Sequence, residues 1–269
     1  MMIGVFFDNR KYGISQYAHI IPVHKISENT AGKGISSNQK TDNITMKILG
    51  ISAFLLLMTQ VGFGQAKQNV GDFSSVVATD KIQVELIKAN ESLVTFEGQN
   101  YENVKVVNTN GALALKMNTL NMLQGGNISV KVYYKSLKNV EAKKGAKVFA
   151  TSNNTVLADH LKVYASEGGL VDLHAEAKSA EVKVTSGATI ALYGKADKQE
   201  IISNFGGKYE GKDFKTTTTT VTVNGGGKAE VNAVDSIETK TRGGGTIDVY
   251  GKPEQRIEKK MAGGTVNFK

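Results

Sequence analysis

The sequence predicts an all-β chain folded as one parallel β-helix with short rungs of about 19 residues. Three observations carry this. First, glycine landmarks at Gly145, Gly168, Gly187, Gly206, Gly226, Gly244 and Gly263 stand 23, 19, 19, 20, 18 and 19 residues apart. A fixed period of this size marks units that are stabilised only by stacking on their neighbours. Second, each glycine is flanked by strictly alternating segments, such as Ala180–Val184 before Gly187 and Ile190–Tyr193 after it, and alternation is a strand pattern. Third, the apolar set returns in the same order from one period to the next. That suits stacked parallel rungs, each carrying two short strands joined at a glycine corner.

The first segment, residues 1–45, is polar and aperiodic and precedes what reads as a complete export signal; we expect it to be a mis-assigned or disordered leader absent from the mature protein. Residues 46–64 read as a signal peptide: Met46-Lys47, an apolar run from Ile48 to Met58, then small residues Gly62 and Gly64. Cleavage is expected before Gln65, with cleavage after Ala66 the alternative. An uncleaved anchor is disfavoured because the run is shorter than the ~20 residues a spanning helix needs.

Residues 65–72 read as a short linker. From 73 to 134 the texture stays β but the glycine period is lost; candidate strands are 73–77, 82–87, 93–97, 104–108, 112–117 and 128–134, expected to begin the solenoid and cap its first end. The glycine-marked rungs occupy 135–269. Aligned on their glycines, they place Val171, Ile190, Ala229, Ile247 and Val266 in one inward column and Leu173, Leu192, Val231, Val249 and Phe268 in the next. The glycine corners imply positive φ or a close backbone approach that a Cβ would obstruct. The Gly206 rung is degenerate, with Tyr209 and Gly211 inward and a threonine run from 216 to 220, so a bulge is expected there. No capping element is evident at Phe268-Lys269, so unpaired backbone groups and apolar core would face solvent there, and end-to-end homodimerisation through this rung, or a partner that covers it, is expected.

Of the 33 Lys and Arg and the 25 Asp and Glu, 6 and 3 precede Gln65, which leaves a net charge of +5 after it. The lysines are dispersed and alternate with glutamates, unlike the clustered basic stripe of a nucleic-acid surface, so no nucleic-acid partner is expected. The chain has no cysteine, which excludes both disulfides and a lipidated mature N-terminus. An exported location follows: periplasm, outer surface or extracellular.

The order Phe73–Val77, Ile82–Leu86, Leu93–Gly98, Asn110–Leu115 and Leu137–Ala142, followed by the glycine-marked rungs, resembles the auto-transporter adhesin head family, or head GIN domain, common in exported Bacteroidetes proteins. The likeness covers nearly the whole mature chain. Ser186-Gly187 keeps the family's Ser-Gly corner, whereas Lys144-Gly145 and Glu167-Gly168 depart from it. The resemblance implies a right-handed parallel β-helix and an adhesive or cell-envelope role, and it brings no catalytic residues.

Two outward columns are candidate sites. Asp172, Glu210, Glu230 and Asp248 align with Ala191 and Asn267, an acidic ladder that either binds a cation or is a solvated face neutralised by lysines. His174, Tyr193, Asn232 and Tyr250 form the adjacent column with Lys212 among them, a set suited to stacking on and hydrogen-bonding to sugars. Asp172 and His174, at i and i+2, would also serve a polysaccharide lyase or hydrolase as acid and base. The run Gly243–Asp248 departs from the calcium-binding nonapeptide at Thr246. The expectation is an exported, non-enzymatic, adhesin-like or cell-envelope binding protein that needs no cofactor or metal and presents this face to a cell-surface glycan or an envelope protein. A structural envelope role is the alternative, and a lyase or hydrolase the second alternative.

Overall fold

The computed structural model describes residues 66–269 except Gln99 and Met122; the expected leader and signal peptide lie outside the described residues. Seventeen strands and four short 3-10 turns are present, with no α-helix among the described residues. The strands are β1 (Ala66–Asn69), β2 (Ser75–Ala78), β3 (Gln83–Lys88), β4 (Leu93–Glu97), β5 (Val104–Thr109), β6 (Ala112–Met117), β7 (Ser129–Tyr134), β8 (Asn139–Ala142) and β9 (Lys147–Ala150). They continue with β10 (Val156–Ala165), β11 (Leu170–Thr185), β12 (Thr189–Asn204), β13 (Lys208–Asn224), β14 (Lys228–Arg242), β15 (Thr246–Tyr250), β16 (Gln255–Met261) and β17 (Thr265–Phe268).

From β8 onward every pairing is parallel, as the repeated order of the apolar residues requires. One inward column runs Val130, Val84, Val148, Val171, Ile190, Tyr209, Ala229, Ile247 and Val266, each the register partner of the next. All but Val266 are fully buried. Burying an aliphatic side chain of this size contributes about 1.5–3 kcal/mol, so the stacked column is the main source of stability.

The rungs of β8 and β9 and of β15 and β16 carry two short strands as expected, but from β11 to β14 the period is one continuous strand. In β11 the buried positions are Val171, Leu173, Ala175, then Ala180, Val182 and Val184. The step from 175 to 180 is odd, so the alternation changes phase there while the rung-to-rung pairing carries on. A bend at Glu176–Ser179 therefore turns the chain without ending the strand. The other turn falls at the glycine corner and interrupts the strand.

Each glycine corner places two successive residues in the left-handed region, for example Ser186 (φ 54) and Gly187 (φ 68). Around the marker glycine there is open space, with nothing near the position of a Cβ at Gly187. The close approach falls one residue later: a Cβ on Gly207 would lie 2.6 Å from the Val184 carbonyl oxygen. In the rungs that lack this second glycine, the small buried Ala146 and Ala188 stand there.

The expected irregularity in the Gly206 rung is present as register shifts between β12 and β13 and between β13 and β14. Tyr209 lies fully buried in a column of small aliphatics, and its ring fills the space that a Cβ on Gly211 would occupy. Its hydroxyl accepts a hydrogen bond from Gln199 Nε2. Thr216 and Thr219 are also buried and pair through their hydroxyls at 2.5 Å.

Residues 73–134 begin the solenoid, but not in chain order. The rung made by β2 and β3 lies between that of β6 and β7 and that of β8 and β9. The chain thus builds the second rung first, adds the outer one, and returns past it to continue. Antiparallel strands cover the outer end: β4 on β7 and β5 on β6. The expected linker is in part a strand, since β1 pairs antiparallel with β4. Its polar sequence, Ala-Lys-Gln-Asn, is held by backbone bonding at an exposed edge, which demands no alternation.

The far end also differs from expectation. In register with Ile237, Thr239 and Thr241 of the inward face stand Arg256, Glu258 and Lys260 of β16. Three charged residues therefore occupy the inward columns of this rung, Glu258 and Lys260 pair at 2.6 Å, and Arg256 lies 4.4 Å over the Phe268 ring. Inward charge is a device that protects a sheet edge, so this half of the end is not the uncovered apolar surface that the sequence implied.

Gly187→Ala is expected to cost about 1 kcal/mol, the strain of a left-handed alanine, whereas Gly207→Ala is expected to cost about 3 kcal/mol or more because backbone must move; denaturant unfolding checks the ranking. Burial pushes the Tyr134 phenol up to about 12 and raises that of Tyr209 further still. Both are neutral when folded, so stability should hold below about pH 10, where unfolded tyrosine titrates, and fall as pH rises above it. Tyr134→Phe should flatten that alkaline slope in unfolding measurements at graded pH.

Candidate functional site

The acidic column forms as aligned: Asp172, Ala191, Glu210, Glu230, Asp248 and Asn267 are successive register partners. Three of its four carboxylates, Glu210, Glu230 and Asp248, are neutralised by lysines. Lys208 pairs with Glu210, and Lys228 reaches Glu230 at 2.7 Å and Asp248 at 3.6 Å. Lys269 approaches Asp248 at 3.4 Å, and Asn267 Nδ2 donates to Asp248 Oδ1 at 2.8 Å. Burial pulls the Asp248 carboxyl upward, but the Asn267 hydrogen bond and the charges of Lys269 and Lys228 outweigh it and hold it below the usual value. Among the described residues no cluster of three or more acidic or histidine side chains is arranged to hold a metal ion.

The neighbouring column comes together in two halves. His174 pairs with Tyr193, their rings stacked 5.0 Å apart at 21°. Asn232 pairs with Tyr250 two rungs further on. Between them β13 bulges, and Lys212 lies in that irregular stretch. Asn232 Nδ2 donates to the Lys212 carbonyl at 2.9 Å, and the Lys212 ammonium sits 5.1 Å over the Tyr250 ring. The four residues share a face, but the bulge divides the flat strip that the sequence implied.

A shallow recess of about 500 Å³ adjoins the first half, lined by Asp172, His174 and Tyr193 together with Phe149, Thr151 and Ser152. Phe149 is the register partner of Asp172 and escaped the sequence reading because the columns were aligned only from the Gly168 rung onward. Its alternation with Val148 was the available signal. Burial first, then the carboxylates of Asp172, Glu210 and Asp213, raise the Tyr193 phenol, which keeps it a neutral hydrogen-bonding group. No hydrogen bond joins Asp172 to His174 among the described residues; the imidazole spends its face on Tyr193.

The family model described as "Putative auto-transporter adhesin, head GIN domain" matches residues 72–253. The chain belongs to that family. The head GIN fold recurs in a putative adhesin from Bacteroides fragilis, with TM-score 0.70 and 18% identity, covering 76% of this chain and 96% of that one. It recurs in a putative adhesin from Parabacteroides merdae (0.59, 18%, 77% and 98%) and in a protein described as a putative lipid binding protein from Parabacteroides distasonis (0.57, 14%, 77% and 98%). These solved chains consist almost wholly of the region that matches this chain. No curated protein matches the chain.

With Glu210, Glu230 and Asp248 already paired and Asp172 standing apart from them, the acidic column of this head GIN domain should gain nothing from calcium: millimolar calcium is expected to leave the melting temperature unchanged. A rise with added calcium, abolished by Asp248→Asn, would make the column a cation site instead.

Proposed function

We propose that this chain is an exported, non-enzymatic, adhesin-like protein that binds a cell-surface glycan or another envelope component through the face bearing His174, Tyr193, Asn232 and Tyr250. The observation that carries the reading is the stacked His174–Tyr193 pair beside a recess floored by Phe149 and edged by Thr151 and Ser152. Aromatic faces with hydroxyls at their rim meet the two demands of a sugar, an apolar ring face and a polar edge. Parallel stacking supports a ligand that spans neighbouring rungs, because on either side of the β13 bulge the outward geometry repeats one strand spacing further on, about 4.8 Å. Membership of the adhesin head family and the adhesin names of its solved neighbours support binding as the general role.

A structural envelope role is the second reading, favoured by the lysine neutralisation of the acidic column and the interruption at the bulge. A lyase or hydrolase would use Asp172 and His174, but no hydrogen bond joins these two side chains among the described residues.

The test is retention of residues 65–269 on a broad glycan and polysaccharide panel, with product release followed in parallel. Retention without shortened products is expected, and Tyr193→Ala should weaken it about five- to tenfold, the worth of one lost aromatic contact. Shortened products that disappear with Asp172→Asn would replace the adhesin reading by an enzyme, and no retention at all would favour the structural role.

A further inference from the structure

Many exposed lysines pair with carboxylates, along the rungs as in Lys162–Glu181 at 2.7 Å and Lys178–Asp159 at 2.8 Å, and near the N-terminal end as in Lys135–Asp72 at 2.7 Å. Around one recess at that end four lysines gather without such a pair. Lys105 of β5 and Lys116 of β6 stand directly opposite each other, a like-charge juxtaposition that costs stability in an antiparallel pair. With Lys144 they line a recess of about 500 Å³, and Lys81 adjoins it, its backbone N–H donating to the Lys144 carbonyl at 3.0 Å. All four are exposed, and none makes an ion pair among the described residues. The carboxylate in the recess, Asp80, is buried and spends Oδ2 on the Thr79 hydroxyl at 2.7 Å and the Met117 N–H at 3.2 Å.

From the wall of this recess, at Asn118 and Thr119, the chain leaves in a loop that carries Leu120, 93% exposed, and Leu123, 79% exposed. The loop returns with Gly125 packed so closely on the Asp80 backbone that no Cβ fits. It is held in shape by an amide lattice: Asn118 Nδ2 and Asn121 Nδ2 donate to Asn103 Oδ1 at 2.8 and 3.0 Å, and the Asn121 N–H donates to Asn118 Oδ1 at 3.1 Å. A braced loop thus holds two leucines in solvent beside four lysines that make no ion pair, an excess of positive charge over the single Asp80 carboxylate.

We propose that this end of the solenoid docks on an anionic lipid bilayer, with Leu120 and Leu123 entering the boundary between headgroups and acyl chains and Lys81, Lys105, Lys116 and Lys144 meeting the lipid phosphates. The layering decides between a bilayer and an acidic protein. The apolar residues sit on the loop and the lysines on the strands and corners at its base, the order in which a bilayer presents acyl chain and phosphate. The proposal concerns a different surface from the His174–Tyr193 face and does not depend on it.

The experiment is flotation of residues 65–269 with phosphatidylcholine vesicles that do or do not contain phosphatidylglycerol. Binding to the anionic vesicles alone is expected, weakening as salt rises. Lys105→Ala and Lys116→Ala should each weaken it about fivefold, Leu120→Ser with Leu123→Ser about tenfold or more, and Tyr193→Ala not at all. Circular dichroism should show every variant folded, since the lysines and leucines are exposed and the half-buried Tyr193 ring lies on an outer face. Equal recovery with neutral vesicles, no recovery with either, or parental binding by the double leucine variant would overturn the proposal.

Discussion

Everything in this molecule depends on one constraint: a rung must return to the same point one strand spacing further along the stack. Parallel backbone pairing fixes that spacing, and register fixes which side chains meet. Once Val171 is placed above Ile190, the rest of both rungs follows, including which carboxylate stands over which. The corners make the return possible. Two left-handed residues reverse the chain in a tight turn, and the small residue after them lets the next strand settle against the previous rung. Where the register is broken, in the Gly206 rung, the interior admits Tyr209, Gln199 and two threonines, and the outer face loses its continuity. One local irregularity thus shapes both the core and the candidate binding surface.

The inward columns could be read from the sequence because alternation reports burial directly and because the glycines set the phase of each rung. The acidic and aromatic columns were legible for the same reason, since a residue between two inward positions must face out. What escaped had no local signal. The bend at Glu176–Ser179 leaves the strand intact, and only the odd step between Ala175 and Ala180 betrays it. The displaced order of the first rungs is a choice among pairings that β2 could make equally well with β6 or β8, and it makes both. The strand β1 is polar because its side chains do not need to enter the core. Phe149 was visible as an outward residue through its alternation with Val148, but its rung precedes the Gly168 rung from which the columns were aligned.

The two ends of the solenoid solve the same problem by opposite means. At the first, antiparallel strands are laid across the terminal rung, so backbone groups that would otherwise be bare are satisfied by chain reversal. At the other, the pairing stays parallel and the side chains change instead. Ile237, Thr239 and Thr241 already mark a drop in hydrophobicity, and Arg256, Glu258 and Lys260 complete it. The outward positions of β16 then carry Ile257 and Met261, both more than half exposed, so this strand inverts the inward-apolar, outward-polar pattern of β11.

Because each rung contacts only its neighbours and the chemistry of closure resides in the last of them, the length of this solenoid is set by where the columns change character rather than by any long-range contact. A middle rung is therefore interchangeable in a way that a terminal one is not. Gene duplication within 170–250 would lengthen the rod and extend its outer face by a fixed increment, while a single slip that moved Arg256 or Glu258 inward by one rung would bury charge and destroy the fold. Reach can thus vary among such chains by whole steps only, like a ruler cut at its graduations.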